Sequence, residues 1–353
     1  MPHAVRVVVG AIACGIGGNG LETADTAVER ETMSSSGPVP ETTLLRGGRR
    51  TAAQPWSALR RYGLWPLLRD SYVRFRYSDG FSHARSLALL LCLAAVPFLI
   101  ALTGLAEGLG VEEGGTVVAE TILALTPGSS DALVRRVLTG GEEDDLGELA
   151  LLVGLVTGIA ALTMAMGQVE RGANRIYGIR RDRRASVKYG RAFVLTWVAG
   201  IPAIGGFLVV VAAVPFGTAL ERAYAWGGLA RAVLSVLRWP VGLVLTVVAL
   251  LVLFAAAPRR RQPSLWWLAP GVGLATALWL ATSGLLGWYV TASEVFGDIY
   301  GPLTGVVALM MWGNLTAVAL LFGIGCAAQL EAWQAGSPRP CEPDRWTEEN
   351  GSA

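Results

Sequence analysis

YGPLTGVVALMMWGNLTAVALLFGIGCAAQLEAW, residues 300–333, contains no Asp, Glu, Lys, Arg or His between Pro302 and Ala328. A helix rises about 1.5 Å per residue and a bilayer's hydrocarbon core is about 30 Å thick, so roughly 20 apolar residues suffice to cross it. This stretch is long enough to span. Pro302 stands near its start, where a missing backbone donor costs little, and Trp333 follows as an interfacial anchor. Every other long apolar run must therefore be tested as a further pass through the same bilayer.

The composition agrees. The chain has 353 residues, 53% hydrophobic and 16% charged, with a mean hydropathy of +0.48, which is too apolar for an ordinary soluble enzyme. Its formal net charge of +2 hides blocks of opposite sign. Lys188 is the only lysine and every other one of the 29 basic residues is arginine, a bias that fits a GC-rich genome better than any chemistry. Cys14, Cys92, Cys326 and Cys341 are far apart and have no metal or redox spacing. His3 and His83 are the only histidines, which excludes a histidine metal cluster, and no nucleophile elbow accompanies His83. No cofactor is expected.

Residues 1–55 read as a disordered or loosely structured tail. The apolar run Val7–Ile16 is too short to span, and the Ser/Thr/Gly/Pro-rich stretch to about Gly48 lacks core-forming residues. A start codon assigned too early, with Met33 as the true start, is an alternative. From Trp56 to Arg76, Leu64, Leu67, Leu68, Tyr72 and Phe75 recur at spacings of three and four, which predicts an amphipathic helix. Arg60, Arg61, Arg69, Arg74 and Arg76 give it positive charge. It either lies on an anionic leaflet or packs on the protein's own loops.

The expected architecture is all-α: a polytopic membrane domain, 56–333, with six spans at about 86–106, 149–169, 193–216, 240–257, 265–290 and 302–328. A flexible tail, 334–353, follows. Pro97 should kink the first span. Residues 107–148 carry ten acids against Arg135 and Arg136, and the short apolar pieces 117–125 and 132–138 fit a helical hairpin over the outer mouth. Gly154 and Gly158 permit close helix contact in the second span. Pro202, Gly205, Gly206 and Pro215 predict a bent or broken third span, followed by an exit loop over 217–239. Residues 170–192 hold Arg171, Arg175, Arg180, Arg181, Arg183, Arg184, Lys188 and Arg191 against Glu170 and Asp182, and Arg259–Arg261 follow the fourth span. Basic segments precede spans one, three and five, which places both termini on the cytoplasmic side.

Three stretches carry a resemblance: FSHARSLALLLCLAAVPFLIAL (81–102), GQVERGANRIYGIRRDRR (167–184), and SLWWLAPGVGLATALWLATSGLLGWYV (264–290) running on through YGPLTGVVALMMWG. Over about Leu67–Trp333 the chain resembles the YihY/BrkB family of bacterial inner-membrane proteins. The resemblance implies a six-helix protein with cytoplasmic ends, and a role that some members' labels connect with ribonuclease activity, others with serum resistance or envelope lipid export. The family's usual Gly-Ala-Glu near the end of span six is replaced here: Gly325-Cys326-Ala327-Ala328-Gln329 puts Ala327 where the acid would stand.

Polar residues in the spans mark candidate sites. Gln168, Glu170, Arg171, Asn174 and Arg175 gather on two turns at the inner end of span two. Glu170, Arg171, Asn174 and Arg175 form a candidate lipid-headgroup site in which the arginines attract phosphate, Glu170 neutralises one of them and Asn174 bonds a headgroup oxygen. Asn314 in span six, with Gln168 and Gln329, completes the intramembrane polar positions; an amide there ordinarily bonds a neighbouring helix. Paired catalytic acids are missing, so the expectation is a non-enzymatic protein that moves or organises a lipid or other amphiphile. The partners expected are membrane lipids and envelope proteins, not nucleic acid. The alternatives are a scaffold anchoring a partner complex and, more weakly, a membrane-bound hydrolase or ribonuclease.

Overall fold

The structure, a computed structural model, describes residues 36–41, 54–108, 144–179, 181–224, 229–292, 300 and 303–341. Among these residues the regular structure is helical, with one isolated antiparallel bridge between Ser36 and Cys341. The helices are α1 (Gln54–Tyr62), α2 (Leu64–Tyr77), α3 (Gly80–Gly108), α4 (Asp144–Ile176), α5 (Ala185–Tyr224), α6 (Leu229–Ala256), α7 (Leu265–Ala292) and α8 (Thr304–Gln334). Among the described residues, four stretches are long and apolar enough to cross a membrane: Leu152–Ile176, Ser235–Ala256, Leu265–Val290 and Thr304–Gln334. The outer hairpin expected over 117–138 lies outside the described residues.

The opening stretch forms α8, and α8 is central, touching α1, α2, α3, α4 and α7. Every residue from Gly323 to Trp333 is buried, Gln329 and Glu331 included. The chain then leaves through a Schellman turn. Ser337 N donates to Ala332 O and Gly336 N to Trp333 O, with Gly336 at φ 75°, a conformation that a Cβ disfavours. Against α7 the approach is closer than a methyl allows. A Cβ on Gly271 would lie 2.6 Å from Gly323 O, and one on Gly323 would lie 2.6 Å from the Cβ of Ala275.

The outer helices do the opposite. Val194, Val198 and Ile201 of α5, Val236 and Val244 of α6, and Leu285 and Trp288 of α7 are exposed. Apolar faces of this extent suit a hydrocarbon surrounding, with the backbone satisfied inside each helix.

Three local readings change. The amphipathic stretch is two helices, separated at Gly63, whose φ is 85°. Its buried face is Leu67, Ser71, Arg74 and Phe75, whereas Leu64 and Tyr72 point outward. Pro202 and Pro215 do not break α5, which is continuous over its 40 residues. The exit loop expected over 217–239 is mostly helix, because α5 runs on to Tyr224 and α6 begins at Leu229, passing through Pro240.

Candidate functional site

At the basic end of the bundle the helix termini bring together groups that are distant in sequence. Glu170 is 4% exposed and forms an ion pair at 2.8 Å with Arg183. The same guanidinium donates to Ala257 O and Pro258 O, tying the α4–α5 link to the end of α6. Glu170 thus neutralises Arg183, not the adjacent Arg171.

Asn174, fully buried, uses both ends of its amide. Nδ2 donates to Asp182 Oδ1 at 3.0 Å, and Oδ1 accepts from the Arg259 backbone N–H at 2.7 Å. Asp182 also faces Arg171 at 3.3 Å and Lys188 at 3.4 Å. Partial burial works against its charge, but the Asn174 bond together with Lys188 and Arg171 outweighs that and holds its carboxyl below the ordinary value. Arg171 and Arg175 are exposed on the surface of this end. The four residues of the predicted headgroup site therefore divide into a buried pair with protein partners, Glu170 and Asn174, and an exposed pair of arginines.

A second cluster surrounds the end of α8. Arg260 and Glu331 form an ion pair at 2.8 Å with both side chains 2% exposed. Arg260 also donates to Val39 O and Pro40 O, and its guanidinium lies 4.5 Å from the centre of the Tyr177 ring. Arg74, expected from sequence to add positive charge to the amphipathic stretch, is fully buried. Its Nε donates to Gln329 Oε1 at 2.8 Å, and its Nη1 to Gly37 O and Ile176 O. Burial lowers its pKa to about 10, which leaves it charged at neutral pH. Gln329 passes the connection on, donating through Nε2 to Pro338 O.

These groups seat two segments that the sequence assigned to loose tails. Residues 36–41 lie across the basic end, with Gly37 N on Pro340 O, Val39 N on Tyr177 O, and the Ser36 hydroxyl donating to Arg175 O. A side chain at Gly178, whose φ is 73°, would meet Pro38 Cα at 2.6 Å, so the chain can cross only over a glycine.

The remaining polar positions lie apart from this end or between helices. Gln168 Nε2 is 3.1 Å from His83 Nδ1 and links α4 to α3. Asn314 Oδ1 and Thr316 Oγ1 are buried with no hydrogen-bond partner among the described residues. The interhelical bond in that region comes from Trp312 instead, whose Nε1 donates to Ser283 Oγ on α7 at 3.1 Å.

Beside the Glu170–Arg183 pair is a cavity of about 530 Å³ between α4, α5 and α6. Glu170 and Arg191 are its charged lining residues; the wall is otherwise apolar, with Met166, Leu195, Val198 and Val252 among its members. No sequence pattern pairs Glu170 with Arg191. They are 21 positions apart, on different helices, and only the turn through Arg183 brings them to one opening.

Apolar helices that expose apolar faces, joined at one end by buried ion pairs, define an all-helical integral membrane protein. Residues 71–347 match the family model described as virulence factor BrkB, and the chain belongs to that family. Among similar proteins, the ribonuclease-like protein YfkH of Bacillus subtilis is 25% identical over 260 residues, covering 72% of this chain and 92% of that protein. A UPF0761 membrane protein of Chromohalobacter salexigens is 27% identical over 290 residues, covering 79% of this chain and 65% of its own length. Another, of Alkalilimnicola ehrlichii, is 28% identical over 273 residues, covering 75% and 58%. The match thus spans under two thirds of both UPF0761 proteins. No solved structure is similar to the chain.

Proposed function

We propose that the protein moves or organises a lipid or other amphiphile in the bacterial inner membrane, as a six-span protein with both termini cytoplasmic. The observation that carries this reading is the cavity beside Glu170: an apolar wall that ends in a carboxylate and a guanidinium has the polarity profile of an amphiphile. The basic end faces the cytoplasm in this reading, because arginine-rich loops are retained on that side. α3 and α5 supply the first and third spans. The exposed Arg171 and Arg175 add positive charge where anionic headgroups approach.

The name of YfkH raises nuclease chemistry for that relative. A ribonuclease needs a general base or a metal-held water within reach of the scissile phosphate. Here Glu170, Asp182 and Glu331 at the basic end are each engaged by an arginine or lysine, which favours a binding and structural role for them. The function proposed is therefore non-enzymatic.

The test is reconstitution into vesicles containing a headgroup-labelled lipid, with an impermeant quencher outside. Faster exchange of label between leaflets than in protein-free vesicles, lost when Gly190 is replaced by Leu, is expected. Exchange no faster than in empty vesicles would remove lipid movement from the reading.

A further inference from the structure

We propose that the α4–α5–α6 cavity seats a zwitterionic phospholipid with a primary ammonium headgroup, the ammonium on Glu170 and the phosphate on Arg191. This inference rests on the amphiphile reading above and adds the headgroup chemistry.

The wall fixes the depth. Below the charged pair, from Arg191 to Val198, the wall follows seven residue steps of α5, about 10 Å at the helical rise, within the roughly 15 Å of one leaflet's hydrocarbon. Glu170, Arg191 and Val187 lie toward the basic end of this path, and Leu195 and Val198 lie deeper. An acyl chain on that wall leaves its headgroup level with the charged pair.

The charges fix the headgroup. A carboxylate has about four lone-pair sites. Arg183 occupies one side of Glu170 and directs further donors to Ala257 O and Pro258 O. Acceptor capacity remains on a carboxylate that lines the cavity, and an N–H-bearing ammonium uses it where a trimethylammonium cannot. Arg191 is exposed, and its one backbone contact, Nη2 to Ala256 O at 3.5 Å, leaves other donors for a phosphate. An anionic headgroup without an amine could still place its phosphate on Arg191, but it would leave the remaining acceptor sites of Glu170 unfilled.

The experiment uses the delipidated full chain in detergent, with binding of dioleoyl phosphatidylethanolamine, phosphatidylcholine and phosphatidylglycerol followed by native mass spectrometry. Phosphatidylethanolamine should bind about tenfold more tightly than either competitor, the worth of one charge-assisted hydrogen bond. Glu170→Gln should abolish the preference. Because that variant leaves Arg183 buried without its counter-charge, two others accompany it. Arg191→Gln alters an exposed residue and should weaken all three lipids about equally. Gly190→Leu adds a side chain where a Cβ meets nothing within 4 Å, and it should block all three without disturbing the ion pairs.

Equal binding of the three lipids, all blocked by Gly190→Leu, would overturn the headgroup assignment and leave the amphiphile reading intact. A preference for phosphatidylglycerol would do the same. Phosphatidylethanolamine binding indifferent to Gly190→Leu would remove the site from this cavity. Absence of any lipid binding, together with no exchange in vesicles, would overturn both readings.

Discussion

Arg260 and Glu331 are 71 positions apart, yet their side chains meet at 2.8 Å with 2% of each exposed. The pair fastens the α6–α7 link to the last turn of α8. Removing one partner of such a pair strands the other charge away from water, at a cost of about 3–5 kcal/mol. Glu331→Ala should therefore lower the thermal midpoint in detergent sharply, and Arg260→Met combined with Glu331→Leu should regain much of the loss. A single variant as stable as the parent protein would show that the charge is solvated after all.

Arg74 carries a different load: three acceptors from three segments, Gln329 Oε1, Gly37 O and Ile176 O. Arg74→Met fills similar space but supplies no donors, at about 1–3 kcal/mol for each acceptor left buried and unpaired. Hydrogen exchange at residues 36–41 should rise in this variant while exchange in α7 stays slow. Uniform acceleration across the chain would mean that the arginine supports the whole bundle.

Acid should loosen the α4–α5 link as Asp182 takes up a proton. The Asp182 carboxyl is held below its ordinary value, so its contribution is complete above the unfolded value, roughly pH 4, and is lost as pH falls through the lower folded value. Asp182→Asn should flatten this acid limb in a pH series of thermal midpoints and leave the profile above pH about 5 parallel to the parent's. An unchanged acid limb would place the titration elsewhere.

Reporter fusions test the orientation that the proposed function requires. A fusion at Gly141 should report outside and one at Ser337 inside. A Ser337 fusion that reports outside would imply an odd number of spans.

Purified protein incubated with transfer RNA and divalent metal ions should not cleave it. Cleavage that survives stringent purification and vanishes on replacing Glu170, Asp182 or Glu331 would restore the enzymatic alternative.

Hydropathy located the helices that became α4, α6, α7 and α8, because twenty or more apolar residues have few other uses. The helices run on beyond the expected spans. α4 runs to Ile176 and α8 to Gln334, carrying Glu170, Asn174, Gln329 and Glu331 on continuous helix. The missing acid at Ala327 drew attention away from Glu331, which stands one turn later on the same face, where Arg260 meets it. The burial of Arg74 was not legible for a related reason: one arginine among several on an amphipathic stretch cannot be told from its neighbours until its acceptors are known. These came from Gly37, Ile176 and Gln329, in segments with no sequence pattern linking them. The cavity was illegible because its two charged residues belong to different helices.

The contact of Gly271 with Gly323 has a mechanical consequence. With backbone oxygens occupying the space where a first side-chain carbon would go, α7 and α8 have no slack in which to slide or roll, so they travel as one body. The cavity lies away from this contact, between α4, α5 and α6. Compliance in this bundle is thus lopsided. A guest molecule entering from the membrane would displace α5 and α6, while α7 and α8 stay still and act as the fixed jaw against which the other side opens.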